Sequence, residues 1–267
     1  MIKTLPPYLY KYQPYNIQTL DNIKDRYIWF SKPDDFNDPF DCSINFSFDD
    51  LTEDEWDFLY RKAQEGLAKD RDQRPATAFF AGNRPSPNFK RFYSEKMKIQ
   101  AGKRLETEFK QRGVACFSEK MDDILMWSHY ADGHKGFCLE YDTRFLPFSK
   151  AIPVEYSETY PTINPLEDIN NLLIQLAITK SIGWSYEEEW RIFHEEGNKE
   201  FGVPVDALTG VYFGCEMPYV HKEVIALILR DAPTKLFEAR ISETNFELEF
   251  ELVQYTPYDY GKRPINT

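Results

Sequence analysis

The sequence predicts an α+β fold built on a mixed, mainly antiparallel sheet, and three observations carry that expectation. Short strand-like runs recur from Tyr8 to Tyr255, and helical periodicity interrupts them without regular alternation. The last two runs, residues 236–241 and 246–255, follow each other as the arms of an antiparallel hairpin. Hydrophobic residues make up 42% of the 267-residue chain, enough for a packed core and too many for a disordered chain.

Each element has its own local reason. Residues 8–12 alternate as a first strand that Pro14 closes, and residues 16–24 read as a short helix or turn. Residues 27–31 form a second strand ended by Pro33, and Asn37-Asp38-Pro39 is turn chemistry. Thr52 is a helix N-cap, with Glu55 completing a capping box before Trp56, Leu59, Ala63 and Leu67 at helical spacing. Pro75, Gly82, Pro85 and Pro87 mark residues 70–88 as a loop and a candidate mobile segment; a charged helix follows over about 89–111. Residues 113–118 are a buried-type strand, and Asp122 or Asp123 caps a short helix to about Ala131. Further strands fall at 136–141 and 152–156. Asn164-Pro165-Leu166-Glu167 reads as a helix start with Leu166, Ile169, Leu173, Leu176 and Ala177 on its apolar face. Strands at 188–193 and 209–214, a helix at 219–230 and the hairpin complete the chain. No linker or repeat divides it, so the expectation is one domain over residues 1–267, with a helical insertion at about 50–112 and a hairpin at about 235–255.

Net charge is -12, which argues against a broad nucleic-acid surface while leaving a local basic stretch at 90–112. No apolar run has the length of a membrane span, and the first residues lack a secretory apolar region. The four cysteines, Cys42, Cys116, Cys138 and Cys215, show no zinc spacing; Cys116 and Cys138 sit in apolar runs as reduced thiols. A cytoplasmic protein without membrane contact and without a metal is the expectation.

Aromatics are 16% of the chain and cluster with polar groups in two blocks. Trp29-Phe30-Ser31 runs into Phe36-Asn37-Asp38-Pro39-Phe40-Asp41, and Trp127-Ser128-His129-Tyr130 into His134-Lys135-Gly136. Apolar walls with a few placed polar groups suit a ligand cleft. On a helix Trp127 anchors with Ile124 and Ala131 while His129 faces elsewhere with Leu125 and Ser128, as a ligand-contacting or proton-shuttling group. His134-Lys135-Gly136 suits an anion-binding loop. Asn37, Asp38 and Asp41 either orient a ribose hydroxyl or hold a metal, for which two acids without a third close ligand are a weak signal, or form an Asx turn that ends the second strand. In Glu187-Glu188-Glu189-Trp190-Arg191, strand alternation puts Glu189 and Arg191 on one face with Glu187 in line, and Trp190 and Ile192 on the other. The first face is then either an open, solvated one or a groove wall with a catalytic carboxylate oriented by Arg191, beside Trp184 and Tyr186. Lys11 is either an edge-strand charge or a contact to an anionic ligand.

These ordered blocks, with Leu9-Tyr10-Lys11-Tyr12 at the start, resemble the bacterial and phage family known as domain of unknown function 2971 (DUF2971), over roughly residues 8 to 215. That family name implies no activity. A second resemblance is to the ADP-ribosyltransferase superfamily: Lys11 or Tyr12 on the first strand, Phe30-Ser31 on the second, and Glu189, or Glu187 with Glu189 as a Glu-x-Glu pair, on a late strand. Lys11 stands where that superfamily carries Arg or His. The resemblance implies NAD as substrate, a late-strand glutamate facing an oxocarbenium, Lys11, His129 or Lys135 on pyrophosphate, and Trp29, Phe30 or Tyr130 stacked on a ring. It implies a nucleotide-using transferase or glycohydrolase acting on a protein or nucleic-acid acceptor, in the manner of a defence or toxin effector. Two alternatives stand beside it: a metal-independent nuclease or phosphodiesterase using His129, His134, Lys135 and Arg191, and a noncatalytic nucleotide- or protein-binding module.

Overall fold

The computed structural model describes residues 3–43, 47–48, 51–69, 82–164 and 166–255. Most of the expected loop at 70–88 and Pro165 of the expected helix start lie outside the described residues. In chain order the strands are β1 (Tyr8–Gln13), β2 (Tyr27–Phe30), β3 (Ser47–Phe48), β4 (Gly113–Ser118), β5 (Phe137–Asp142), β6 (Ile152–Pro153), β7 (Glu155–Ser157), β8 (Thr162–Ile163), β9 (Thr179–Ser181), β10 (Glu189–His194), β11 (Lys199–Gly202), β12 (Leu208–Phe213), β13 (Lys235–Ile241) and β14 (Leu248–Val253). The α-helices are α1 (Ile17–Lys24), α2 (Glu53–Lys69), α3 (Pro87–Phe109), α4 (Ile124–Tyr130), α5 (Ile169–Ile178) and α6 (Tyr219–Ile228). The chain forms two compact units: residues 1–35, 112–156 and 182–267 make the first, and 36–111 with 157–181 the second.

The first unit is an eight-stranded mixed sheet in the order β14-β13-β12-β5-β1-β4-β10-β6. Every described pair in it is antiparallel except β12 with β13, and α6 supplies the crossover that a parallel pair needs. Leu9, Phe117, Leu139, Trp190 and Val211 form one buried cluster with Ile23 of α1 and Ile225 of α6. Tyr12, Cys138 and Tyr212 pack with Met126 and Trp127 of α4 in another. The hairpin expected at the end of the chain is β13 against β14, with Leu236 opposite Val253.

Capping chemistry sets the helix starts. The Asn16 Oδ1 accepts from the Thr19 N–H at 2.9 Å, and the Thr19 Oγ1 accepts from the Asn16 N–H at 3.1 Å, so α1 begins with a reciprocal capping box. At the end of β5 the Arg144 guanidinium donates to both Asp142 oxygens, at 3.0 and 2.9 Å from Nε, and holds the Asp142 carboxyl below its ordinary range. A carboxyl lowered in the folded state stabilises the fold above its unfolded pKa of about 3.9, and that increment disappears as pH falls through the folded value. The stability gap between wild type and Arg144→Ala is therefore expected to shrink between neutral pH and about pH 3, measured by urea midpoints. An equal gap at both ends contradicts this role.

In the second unit, Leu59, Tyr60, Phe89, Leu105, Leu173 and Leu176 of α2, α3 and α5 are buried. Tyr60 meets Phe89 edge-on at 4.9 Å. The Thr52 capping box is present: the Glu55 Oε2 accepts from the Thr52 N–H at 2.8 Å, and the Thr52 Oγ1 from the Glu55 N–H at 3.3 Å. The expected helix start at Asn164 is corrected. The Asn164 Oδ1 accepts from the Leu166 N–H in a local turn, Asp168 caps α5 through the Asn170 N–H, and Leu166 is exposed.

The strand expected over 152–156 is split into β6 and β7 at Val154, whose N–H donates to the Glu189 carbonyl. β11 escaped the sequence reading because Lys-Glu-Phe-Gly is short and mostly exposed. All four cysteines are free thiols; Cys138 is buried, which pushes its thiol pKa up, and Cys116 is half-buried. Among the described residues no helix is long and apolar enough to cross a membrane.

Candidate functional site

Two short segments of the first unit build the site. The first is α4. The Asp123 Oδ1 accepts from the Leu125 and Met126 N–H groups at 2.9 and 3.0 Å, which fixes the start of this seven-residue helix. Trp127 is fully buried, its Nε1 donates to the Met121 carbonyl at 2.8 Å, and Tyr12 meets its ring edge-on at 5.3 Å. The inward face of α4 is thus Met126 and Trp127, with Ala131 just past its end; Ile124, expected there, is exposed. With that face anchored, His129 is exposed and Tyr130 half-buried.

The second segment is the 3-10 turn Ile182–Glu187 leading into β10. Glu188 joins the two with a φ of 41°, a left-handed backbone that a non-glycine residue adopts at a cost of roughly 1–3 kcal/mol. Four hydrogen bonds hold it. The Ser118 hydroxyl donates to the Glu187 carbonyl at 2.6 Å, and the Glu119 N–H to the Glu188 carbonyl at 3.1 Å. The Glu189 N–H donates to the Tyr156 hydroxyl at 2.8 Å, and the Val154 N–H to the Glu189 carbonyl at 2.9 Å.

That backbone separates the three glutamates. Glu188 turns to Lys120, at 2.7 Å. Glu189 is 5% exposed and receives two hydrogen bonds from Arg191, itself 0% exposed, at 2.7 Å from Nε and 2.9 Å from Nη2. Glu187 is 2% exposed, and its Oε1 accepts from the Tyr130 hydroxyl at 2.6 Å. The expected alternation holds for β10, since Trp190 and Ile192 lie in the core. The solvated alternative for the face of Glu189 and Arg191 is corrected, because both are buried.

His129, Trp184 and Tyr186 form an aromatic group beside Tyr130. The His129 ring lies 6.5 Å from Trp184, 6.3 Å from Tyr186 and 6.3 Å from Tyr130, and Trp184 lies 6.0 Å from Tyr186. The buried Glu187 carboxylate is thus joined, through the Tyr130 hydroxyl, to a group of rings that reaches the surface at His129.

The structure bonds Tyr130 to Glu187 with His129 beside Tyr130, pairs Arg191 with Glu189, and gives the other expected residues other partners. Lys11 lies on β1, between β5 and β4 and so inside the sheet, which rules out an edge-strand role. Its ammonium donates to the Cys116 carbonyl at 3.0 Å and sits 5.0 Å from the Phe117 ring centroid. Burial lowers the Lys11 pKa, with Cys116 and Glu189 partly opposing. The Tyr12 hydroxyl donates to the Lys120 carbonyl. Phe30 is 1% exposed in the core, half-buried Trp29 pairs in register with Glu200, and Ser31 bonds through its backbone to Val114. Aromatic density in that block serves packing. Asn37 and Asp38 belong to the second unit, where the Asp38 Oδ1 accepts from the Phe40 N–H in an Asx turn and Asn37 is exposed. In that unit Asp41 is buried 3.5 Å from Lys180.

His134 stacks over Trp127 and its Nε2 lies 3.2 Å from the Ser128 hydroxyl; burial lowers its pKa, with Glu216 opposing. Lys135 is exposed on a tight turn. Gly136 closes that turn: a Cβ there would lie 2.2 Å from the Gln13 carbonyl oxygen and 2.9 Å from that of Ala131. Gly136→Ala is expected to destabilise the first unit by about 1–3 kcal/mol, read as a lower urea midpoint. An unchanged midpoint contradicts the close approach.

Sequence reasoning missed Tyr156, Ser118 and a second polar group on β5. The Glu140 carboxylate accepts from the hydroxyls of Tyr10 at 3.2 Å, Tyr212 at 2.6 Å and Thr209 at 2.6 Å. A lone Glu in the run Phe-Cys-Leu-Glu-Tyr was the available signal, while nothing local marks Tyr156 or Ser118.

No curated protein and no solved structure matches the chain. The model of a family described as protein of unknown function, DUF2971, matches residues 126–192, a stretch that holds Tyr130, Glu187, Glu189 and Arg191; there the chain is similar to that family.

Proposed function

We propose that the Glu187 cluster is the active site of a nucleotide-using enzyme that breaks the bond between nicotinamide and ribose in NAD, as an ADP-ribosyltransferase-like transferase or a glycohydrolase. One observation carries this reading: the buried Glu187 carboxylate accepts a 2.6 Å hydrogen bond from Tyr130, whose ring lies beside His129, which in turn neighbours Trp184 and Tyr186. While bonded to ribose, the nicotinamide ring is a cation. Cleavage of the C–N bond sends its electron pair to the ring nitrogen, which leaves neutral, and the positive charge passes to the ribose as an oxocarbenium. A fixed carboxylate stabilises that charge, and the Tyr130 hydroxyl orients Glu187. The rings supply stacking for nicotinamide or adenine. Water then adds to the ribose and gives up a proton in the hydrolase. In the transferase, a nucleophile of a protein or nucleic-acid acceptor takes the place of water.

This reading assigns Glu187 the role that strand position alone gives to Glu189. Arg191 binds Glu189 within β10, and in this reading that pair positions the strand. The nuclease alternative is weaker, because His129 faces Trp184 and Tyr186 while His134 pairs with Ser128. The test is nicotinamide released from NAD by the purified protein, followed chromatographically with and without cell lysate as an acceptor source. Release is expected. Tight NAD binding without turnover overturns the enzymatic reading in favour of a noncatalytic module.

A further inference from the structure

Glu140 sits inside the eight-stranded sheet, on β5, with β12 on one side and β1 on the other, wholly in the first unit. Strand alternation puts Leu139 and Tyr141 on the face packed against α1 and α6, and Glu140 on the opposite face with Cys138. Three hydroxyls from the two flanking strands converge on its carboxylate: Tyr10 and Tyr212 donate to Oε2, and Thr209 donates to Oε1. The two phenol rings stand edge to face with centroids 6.1 Å apart, and Phe237 stacks on Tyr212 at 4.6 Å. Glu140, Tyr10 and Thr209 are half-buried, so the group reaches solvent.

The inventory of donors and acceptors fixes the charge of a ligand. Each hydroxyl has one hydrogen, and all three are spent on Glu140. Burial first, and then the Glu140 carboxylate, push the pKa of both phenols up, so they keep those hydrogens at neutral pH. What remains toward solvent is acceptors and rings. Among the described residues no basic side chain pairs with Glu140. A carboxylate set among rings without a counter-charge costs free energy that a bound cation recovers. The net charge of -12 adds a long-range bias toward ligands of positive charge.

The open positions also select the kind of cation. A carboxylate offers about four acceptor positions, two on each oxygen. On Oε2 both are taken, and on Oε1 one is open. A guanidinium binds best as a bidentate fork, which needs an open position on each oxygen. An ammonium needs one, and its other hydrogens can bond to phenol oxygens. Gly210, opposite Glu140 in register on β12, keeps a methyl group away from Oε1: a Cβ there would lie 3.3 Å from that oxygen.

We infer that the Glu140 group is a binding site for a primary ammonium ion carried on a short alkyl chain. The ammonium bonds to Oε1, and the chain lies against the rings of Tyr10 and Tyr212. The site does not use Glu187 and stands whether or not NAD is turned over.

The experiment is amide chemical-shift titration of the full chain with n-butylammonium, beside 1-butanol as its uncharged counterpart and ethylguanidinium as the forked cation. Saturable shifts centred on Tyr10, Glu140 and Gly210 are expected, with n-butylammonium about tenfold tighter than either of the others. Gly210→Ala puts a methyl group beside the open position and is expected to weaken n-butylammonium about tenfold. Tyr10→Phe opens a second position on Oε2 and is expected to remove the preference for ammonium over guanidinium. Should a variant fail to fold, the comparison of the three probes on the wild type decides. No saturable shift, 1-butanol or ethylguanidinium binding as tightly as n-butylammonium to the wild type, or binding indifferent to both folded variants overturns the inference.

Discussion

Glu187→Gln is expected to reduce nicotinamide release from NAD by about a hundred- to a thousandfold, the usual loss when one electrostatic stabiliser of a transition state is removed. The substitution keeps the shape of the side chain and the acceptor for the Tyr130 hydroxyl, so the far-UV spectrum and the thermal midpoint are expected to stay near wild type. Tyr130→Phe leaves the carboxylate in place without its 2.6 Å donor, and a smaller loss, about tenfold, is expected from disorder of Glu187. The order of the two effects matters as much as their size. If Tyr130→Phe costs activity and Glu187→Gln does not, the phenol and not the carboxylate is the working group.

Arg191→Ala is expected to cost about 3–5 kcal/mol of stability, the largest single loss in the first unit. Arg191 is fully buried and binds Glu189 through Nε and Nη2, so truncation strands a carboxylate in a dry interior and opens a cavity. Arg191→Met paired with Glu189→Leu removes both charges and fills the space. That double variant is expected to recover most of the lost stability, since a buried ion pair and an apolar pair of similar volume are close in free energy. Urea midpoints decide it, and a double variant no more stable than Arg191→Ala contradicts the account of Glu189 as a structural partner.

Much of the sheet was legible because its strands carry their own signals. Trp190 and Ile192 alternate with Glu189 and Arg191, and that alternation fixes which side meets the core. Helix starts were legible where one cap candidate stood alone, as at Asn16 and Thr52. They were ambiguous where two competed: Asn164 and Asp168 each accept a backbone N–H two residues on, and only the second is followed by a helix. For the candidate site, the approach of α4 to the turn before β10 was not legible, because it depends on a tertiary contact between residues 57 apart in sequence. Alternation put Glu187 in line with Glu189, yet the left-handed backbone at Glu188 breaks the strand between them. The Trp29-Phe30 block misled in the opposite direction. Aromatic rings line clefts and fill cores alike, and Phe30 turned out to belong to the core.

The central claim is that Glu187, held by Tyr130, carries the chemistry, while Glu189 serves the fold. The most direct measurement is nicotinamide release from NAD under single-turnover conditions by wild type, Glu187→Gln and Glu189→Gln, each checked for folding by circular dichroism. The account predicts release by wild type, its loss in folded Glu187→Gln, and for Glu189→Gln a lower thermal midpoint with release retained by the folded fraction. No release by wild type, or full release by Glu187→Gln, contradicts it.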